Sequence, residues 1–152
     1  MLVSDVMSRY VVRVSYDDSA FRAAELMRRN KIGVLPVLRG NSVVGVVTDR
    51  DIITRCVALG KPPLSTTVDS IMTSPAVCVK VETPLAEAIE QMARKQIKRV
   101  PVLSGGRLSG MLSLCDLPGK VSGKSVAGTY QQIFTPGAGS DSGPSVWSTL
   151  FD

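Results

Sequence analysis

Two stretches of this chain place a hydroxyl at the end of an apolar run and a carboxylate three residues later. They are Gly45-Val46-Val47-Thr48-Asp49-Arg50-Asp51 and Gly110-Met111-Leu112-Ser113-Leu114-Cys115-Asp116. Each reads as a buried strand entering the first turn of a helix. Thr48 and Ser113 then sit at an N-cap, where a hydroxyl and free backbone N–H groups can hold an anion such as a phosphate. Asp51 and Asp116, one turn further, present two carboxylate oxygens able to accept both hydroxyls of a ribose. Taken singly, these residues read at least as well as plain helix caps and first-turn acids. Other chemistries lack their residues. The chain has no histidine, which removes Ser-His and Cys-His catalysis and the commonest metal ligand. Cys56, Cys78 and Cys115 show no C-x-x-C spacing and are expected to be small buried apolar residues. Gly123-Lys124-Ser125 is no phosphate loop, because position 118, where such a loop needs glycine, is proline. No catalytic residue, metal or cofactor is expected.

The elements that must position these junctions come from a repeat. Shifting the chain by 65 residues aligns Met7–Asp51 with Met72–Asp116 without a gap, with 14 identities in 45 positions, against roughly 3 for unrelated segments of average composition. Each copy predicts a helical turn (Ser4–Ser8; Asp69–Thr73), a short strand (Val11–Val14; Ala76–Val79) and an amphipathic helix. In the second copy Thr83 is the expected N-cap and Pro84 the first helical residue. Leu85, Ala88, Ile89, Met92 and Ala93 form one apolar stripe, matched by Ala20, Ala23, Ala24 and Met27. Two strands follow in each copy, Val34–Leu38 with Val43–Val47 and Val100–Leu103 with Leu108–Leu112, joined by tight turns containing Gly40 and Gly105-Gly106. A helix over Thr48 to about Ala58 ends the first copy. Pro118 and Gly119 are expected to shorten or distort its counterpart. The fold class is α/β of the α+β kind: tandem β-α-β-β-α repeats packed sheet to sheet with pseudo-twofold symmetry. Residues 1–60 form the first repeat, 61–67 a linker, 68–118 the second repeat and 119–152 a Gly/Ser/Pro-rich tail.

The bulk numbers agree with a folded, soluble chain. Of 152 residues 44% are hydrophobic and 20% charged, and the apolar runs are strand-sized rather than membrane-spanning. No signal-peptide pattern precedes Asp5, so a cytoplasmic location is expected. A formal net charge of +5 favours anionic partners mildly, yet few aromatics interleave the basic residues, so nucleic acid is not an expected partner.

With D-V-M-S or S-I-M-T, then P-V, then G-V-V-T-x-x-D or its counterpart G-M-L-S-x-x-D, residues 1 to about 118 resemble a pair of CBS domains, often called a Bateman module. The resemblance implies a regulatory module without catalysis of its own that senses AMP, ADP or ATP, with S-adenosylmethionine or another adenosyl compound as the alternative ligand. A structural or interaction module with degenerate clefts is a third reading. It further implies two clefts. Site A would combine Thr48 and Asp51 with Ala76, Val77, Ile97, Lys98, Arg99 and Pro101 of the second repeat, with Lys98 and Arg99 on the phosphate. Site B would combine Ser113 and Asp116 with Val11, Val12, Ile32, Gly33, Val34 and Pro36 of the first, and with Arg50 in place of the missing basic pair. Site A is therefore expected to be the better site. The resemblance also implies a homodimer formed through the helices, and a protein target that the sequence does not name. Four of the seven aromatics, Tyr130, Phe134, Trp147 and Phe151, lie in the tail, which suggests that it docks on the module or recruits a partner.

Overall fold

In chain order the elements are α1 (Val3–Val6), β1 (Val14–Ser15), α2 (Ala20–Asn30), β2 (Val34–Arg39), β3 (Ser42–Thr48) and α3 (Asp49–Ile52). The second half gives α4 (Val68–Ile71), β4 (Val79–Lys80), α5 (Leu85–Lys95), β5 (Arg99–Ser104) and β6 (Arg107–Ser113), closed by a 3-10 turn at Leu114–Asp116. This computed structural model describes residues 1–118; the expected docking of the tail lies outside the described residues. The strands form two three-stranded sheets, β1-β2-β3 and β4-β5-β6. In each, the first pair is parallel and the second antiparallel, and the crossover is an 11-residue helix. Gly40 turns the first hairpin at φ +61 and Gly105 and Gly106 turn the second at +53 and +79, a region that strains any residue with a Cβ.

Local chemistry sets the helix ends. The Ser19 hydroxyl accepts from the Arg22 N–H at 3.0 Å and caps α2. Ser19→Ala is expected to cost about 1 kcal/mol, read as a lowered midpoint in urea unfolding. In the second copy the cap differs from expectation. Pro84, with extended ψ, takes the cap position, and α5 starts at Leu85. The Thr83 hydroxyl instead accepts from the Lys80 N–H at 3.1 Å and closes the preceding turn. After β3 the expected single helix is two pieces. Beyond Ile52 the chain widens into a π-helical turn, Ile53–Val57, which buries Cys56 and leaves Ile53 and Val57 exposed. The counterpart after β6 is only the 3-10 turn, as Pro118 requires. Val11, Val12, Ala76 and Val77 precede the strands rather than forming them, since pairing begins at Val14 and Val79.

There are two cores, and each is completed by the other repeat. The first gathers Val14, Met27, Leu35, Val37 and Val47 with Val68 and Ile71 of α4. The second gathers Val79, Met92, Val100 and Leu112 with Val3, Val6 and Met7 from the segment containing α1. Backbone bonds secure the exchange: Val3 N–H to Thr83 O at 2.9 Å and Ser4 N–H to Val81 O at 3.1 Å on one side, Val68 N–H to Asp18 O at 2.8 Å and Asp69 N–H to Tyr16 O at 2.9 Å on the other. The bridges Ser8–Met111 and Val46–Thr73 are one contact made twice, related by the 65-residue shift, as are Leu2–Pro84 and Ser19–Thr67. β3 and β6 lie against each other. The close approach needs glycine. A Cβ on Gly45 would sit 2.8 Å from Thr73 O, and one on Gly110 2.7 Å from Ser8 O.

Candidate functional site: a cavity between the repeats

The first junction is closed upon itself. Thr48 Oγ1 accepts from the Asp51 N–H at 3.0 Å and Asp51 Oδ2 accepts from the Thr48 N–H at 3.0 Å, a complete capping box. Asp51 is only 7% exposed. The Thr73 hydroxyl reaches the same Oδ2 at 3.5 Å, and Arg55 Nε stands 3.8 Å from Oδ1. Arg55 also donates through Nη1 to the carbonyls of Ile71 and Met72, at 3.2 and 2.9 Å. One guanidinium thus ties the turn after β3 to the leading segment of the second repeat. Arg55 and Thr73 were missed from sequence, although the four-residue step from Asp51 to Arg55 is an ion-pair spacing.

The second junction is open. Ser113 is buried, and its Oγ accepts from the Cys115 N–H and from Arg99 Nε, both at 3.3 Å. Asp116 stays exposed. Beside them lies a cavity of about 270 Å³ between the repeats. Arg99, Met111, Ser113 and Asp116 form its second-repeat wall. Ser8 and Asn30 join Tyr10, Val11, Val12, Ile32 and Val34 on the first-repeat wall.

The sequence-predicted residues therefore redistribute. Ser113, Asp116, Val11, Val12, Ile32 and Val34 come together as expected for site B. Arg99 does not stand at site A; it is opposite Ser113 in the β5–β6 register and lines the cavity of site B. Arg50, expected to supply the cation there, is exposed and not in the wall, its N–H held by Asp49 Oδ1 at 2.8 Å. Gly33 is also outside it, pressed against the Asp49 carboxylate, and Pro36 is buried in β2 opposite Val46. Of the site A set, Ile97 packs on the second core with Val77, Ala76 is half-buried, Pro101 is buried opposite Met111, and the Lys98 carbonyl accepts from the Leu114 N–H at 3.0 Å. Tyr10, Asn30, Ser8 and Met111 were not anticipated. The thiols also divide: Cys56 is buried as expected, Cys115 is exposed, and half-burial pushes the Cys78 thiol above its ordinary range. Among the described residues no three His, Cys, Asp or Glu side chains gather as a metal site, and no helix is long and apolar enough to cross a membrane.

Comparison with known proteins agrees with this architecture. A family model described as CBS domain matches residues 3–58 and again 68–121. The CBS domain-containing protein YhcV of Bacillus subtilis is 34% identical over 115 residues, covering 76% of this chain and 81% of the relative. Hypoxic response protein 1 of Mycobacterium tuberculosis is 31% identical over 114 residues, covering 74% and 80%. The crystal structure of Hypoxic Response Protein I, described with two coordinated zinc ions, superposes with a TM-score of 0.72 at 29% identity, over 80% of this chain and 99% of that one. The CBS domain pair of MJ0100, in complex with 5-methylthioadenosine and S-adenosyl-L-methionine, shares the fold at a TM-score of 0.68 and 24% identity, over 79% of this chain and 94% of that one.

Proposed function

Because the chain belongs to the CBS-domain family, whose paired repeats are regulatory ligand-binding modules, we propose that it senses an adenine nucleotide in the cavity beside Ser113 and Asp116. One observation carries the reading: a guanidinium, a carboxylate and an apolar wall line one half-open cleft between the repeats. A nucleoside phosphate needs all three. Arg99 would pair with phosphate, exposed Asp116 would accept the ribose hydroxyls, and Val11, Val12, Ile32 and Val34 would cover the base. At about 270 Å³ the space lies just below the usual range of ligand sites, about 300–1,000 Å³, which favours AMP over the larger ADP and ATP. Thr48 and Asp51 then serve chiefly to hold β3 against the second repeat. Binding would be reported as a shift between arrangements of the repeats, to the extent that the ligand prefers one.

Calorimetric titration with AMP, ADP, ATP and S-adenosylmethionine tests this. AMP is expected to bind, Asp116→Ala to abolish binding, and Arg99→Ala to weaken AMP by about tenfold or more, as for a lost charge-assisted hydrogen bond. Adenosine should be indifferent to Arg99→Ala. Heat from S-adenosylmethionine alone would replace the nucleotide by an adenosyl ligand, and no heat from any compound would leave the module structural.

A homodimer belongs to the same proposal. Ile53 and Val57, 60% and 58% exposed, sit four residues apart on the π-helical turn, and exposed Leu59 and Leu64 follow in the chain. Sedimentation is expected to show a dimer that Ile53→Glu with Val57→Glu converts to monomer; an unchanged mass in the double variant would place the interface elsewhere.

A further inference from the structure

The two walls of the cavity differ in kind. The second-repeat wall carries the ionic groups, Arg99 and Asp116, while the first-repeat wall carries an aromatic ring and an amide, Tyr10 and Asn30. Tyr10 lines this half-open cleft and is 80% exposed, so its ring stands at the rim. Its backbone is held: the Ser8 hydroxyl donates to the Tyr10 carbonyl at 3.3 Å, and Ser8 exchanges two backbone bonds with Met111, each 2.9 Å. Asn30 ends α2, and its Nδ2 donates to the Leu26 carbonyl at 2.8 Å. That bond fixes which way the amide faces and leaves Oδ1 as an acceptor. At the first junction the positions equivalent to Tyr10 and Asn30, after the 65-residue shift, are Pro75 and Lys95, so neither feature is repeated there.

We infer that Tyr10 and Asn30 are the specificity determinants of this cavity, selecting a purine with a 6-amino group. This rests on the nucleotide reading above. Tyr10 offers a π-face on which any base can stack. Asn30 Oδ1 accepts from an exocyclic amine and repels a 6-oxo oxygen, so it separates adenine from hypoxanthine and guanine. The ligand then spans the repeats, with its base on the first and its phosphate and ribose on the second.

Titration of the full chain with AMP, IMP and GMP tests the assignment. The wild-type chain is expected to prefer AMP over IMP by about tenfold, the scale of one buried hydrogen bond gained or lost. In Asn30→Ala the AMP:IMP ratio should fall to near one. A ratio taken within one variant does not depend on what fraction of that variant folds, so loss of the Leu26 contact does not confuse the result. Tyr10→Ala should weaken AMP and IMP alike by about tenfold, and Tyr10→Phe should restore both. AMP binding with an unchanged ratio in Asn30→Ala, or unchanged affinities in Tyr10→Ala, overturns this inference and leaves the nucleotide reading standing. No binding of any of the three by the wild-type chain overturns both.

Discussion

Gly110→Ala is expected to lower the stability of this protein by about 2–4 kcal/mol and its Tm by about 10 °C, a cost made of overpacking and of disturbed backbone bonds. The added methyl would lie 2.7 Å from Met7 Sδ and 2.7 Å from Ser8 O. The sulfur ends a flexible side chain and can move. The carbonyl cannot move without loosening the paired bonds between Ser8 and Met111, each 2.9 Å. Because Ser8 and Met111 both line the cavity, Gly110→Ala should also weaken ligand. Gly45→Ala meets Met72 Sδ at 2.7 Å and Thr73 O at 2.8 Å and should cost similar stability, yet spare ligand binding, since no wall residue is disturbed. Thermal scans with and without AMP separate the two. Equal effects on binding would mean that the two glycines do not serve different clefts.

The second large effect concerns residues 1–8. Val3, Val6 and Met7 are buried in the second core. Fully burying one such side chain contributes about 1.5–3 kcal/mol, so their removal withdraws about 5–9 kcal/mol at most. That is comparable with the whole stability of an ordinary domain, about 5–15 kcal/mol. A chain lacking residues 1–8 should therefore lose amide protection first around Val100, Val102 and Leu112, whereas protection around Leu35 and Val37, whose core is closed by α4, should outlast it. Hydrogen exchange resolved by residue reads this directly. Retained protection in β5 and β6 would show that the leading segment is dispensable.

The repeat made most of this fold legible. A gapless 65-residue offset fixes the element order twice, and the glycine turns and Pro118 place their breaks. The exchange of leading segments was not legible, because hydrophobic periodicity says that Val3 and Val6 are buried but not in which core. The candidate site was half legible. Ser113 and Asp116 follow from the motif, and Val11, Val12, Ile32 and Val34 from the family pattern. Arg99 was assigned across the cleft by that pattern, while the hairpin itself places it opposite Ser113. Counting outward from Gly105-Gly106 reaches that pairing to within one residue, the remaining step being the irregularity between Val102 and Leu103. Asp51 drew attention by type and spacing, but its carboxylate is consumed by Thr48, Thr73 and Arg55. No linear spacing distinguishes a carboxylate offered to a ligand from one folded back on its own backbone.

The reciprocal seating of α1 and α4 bears on what the connecting segment does. Each half carries the plug for the other's socket, so the two halves are interlocked independently of the peptide bonds between them. Leu64 in that segment is 75% exposed, a natural place for a protease to cut, and a chain nicked there should migrate as one particle until denatured. What the covalent join supplies is effective concentration, keeping plug and socket together at levels that free halves would reach only when crowded. A solitary first repeat would leave its own leading segment unseated and its own socket empty, a pair of defects that a second copy of the same half could satisfy at once.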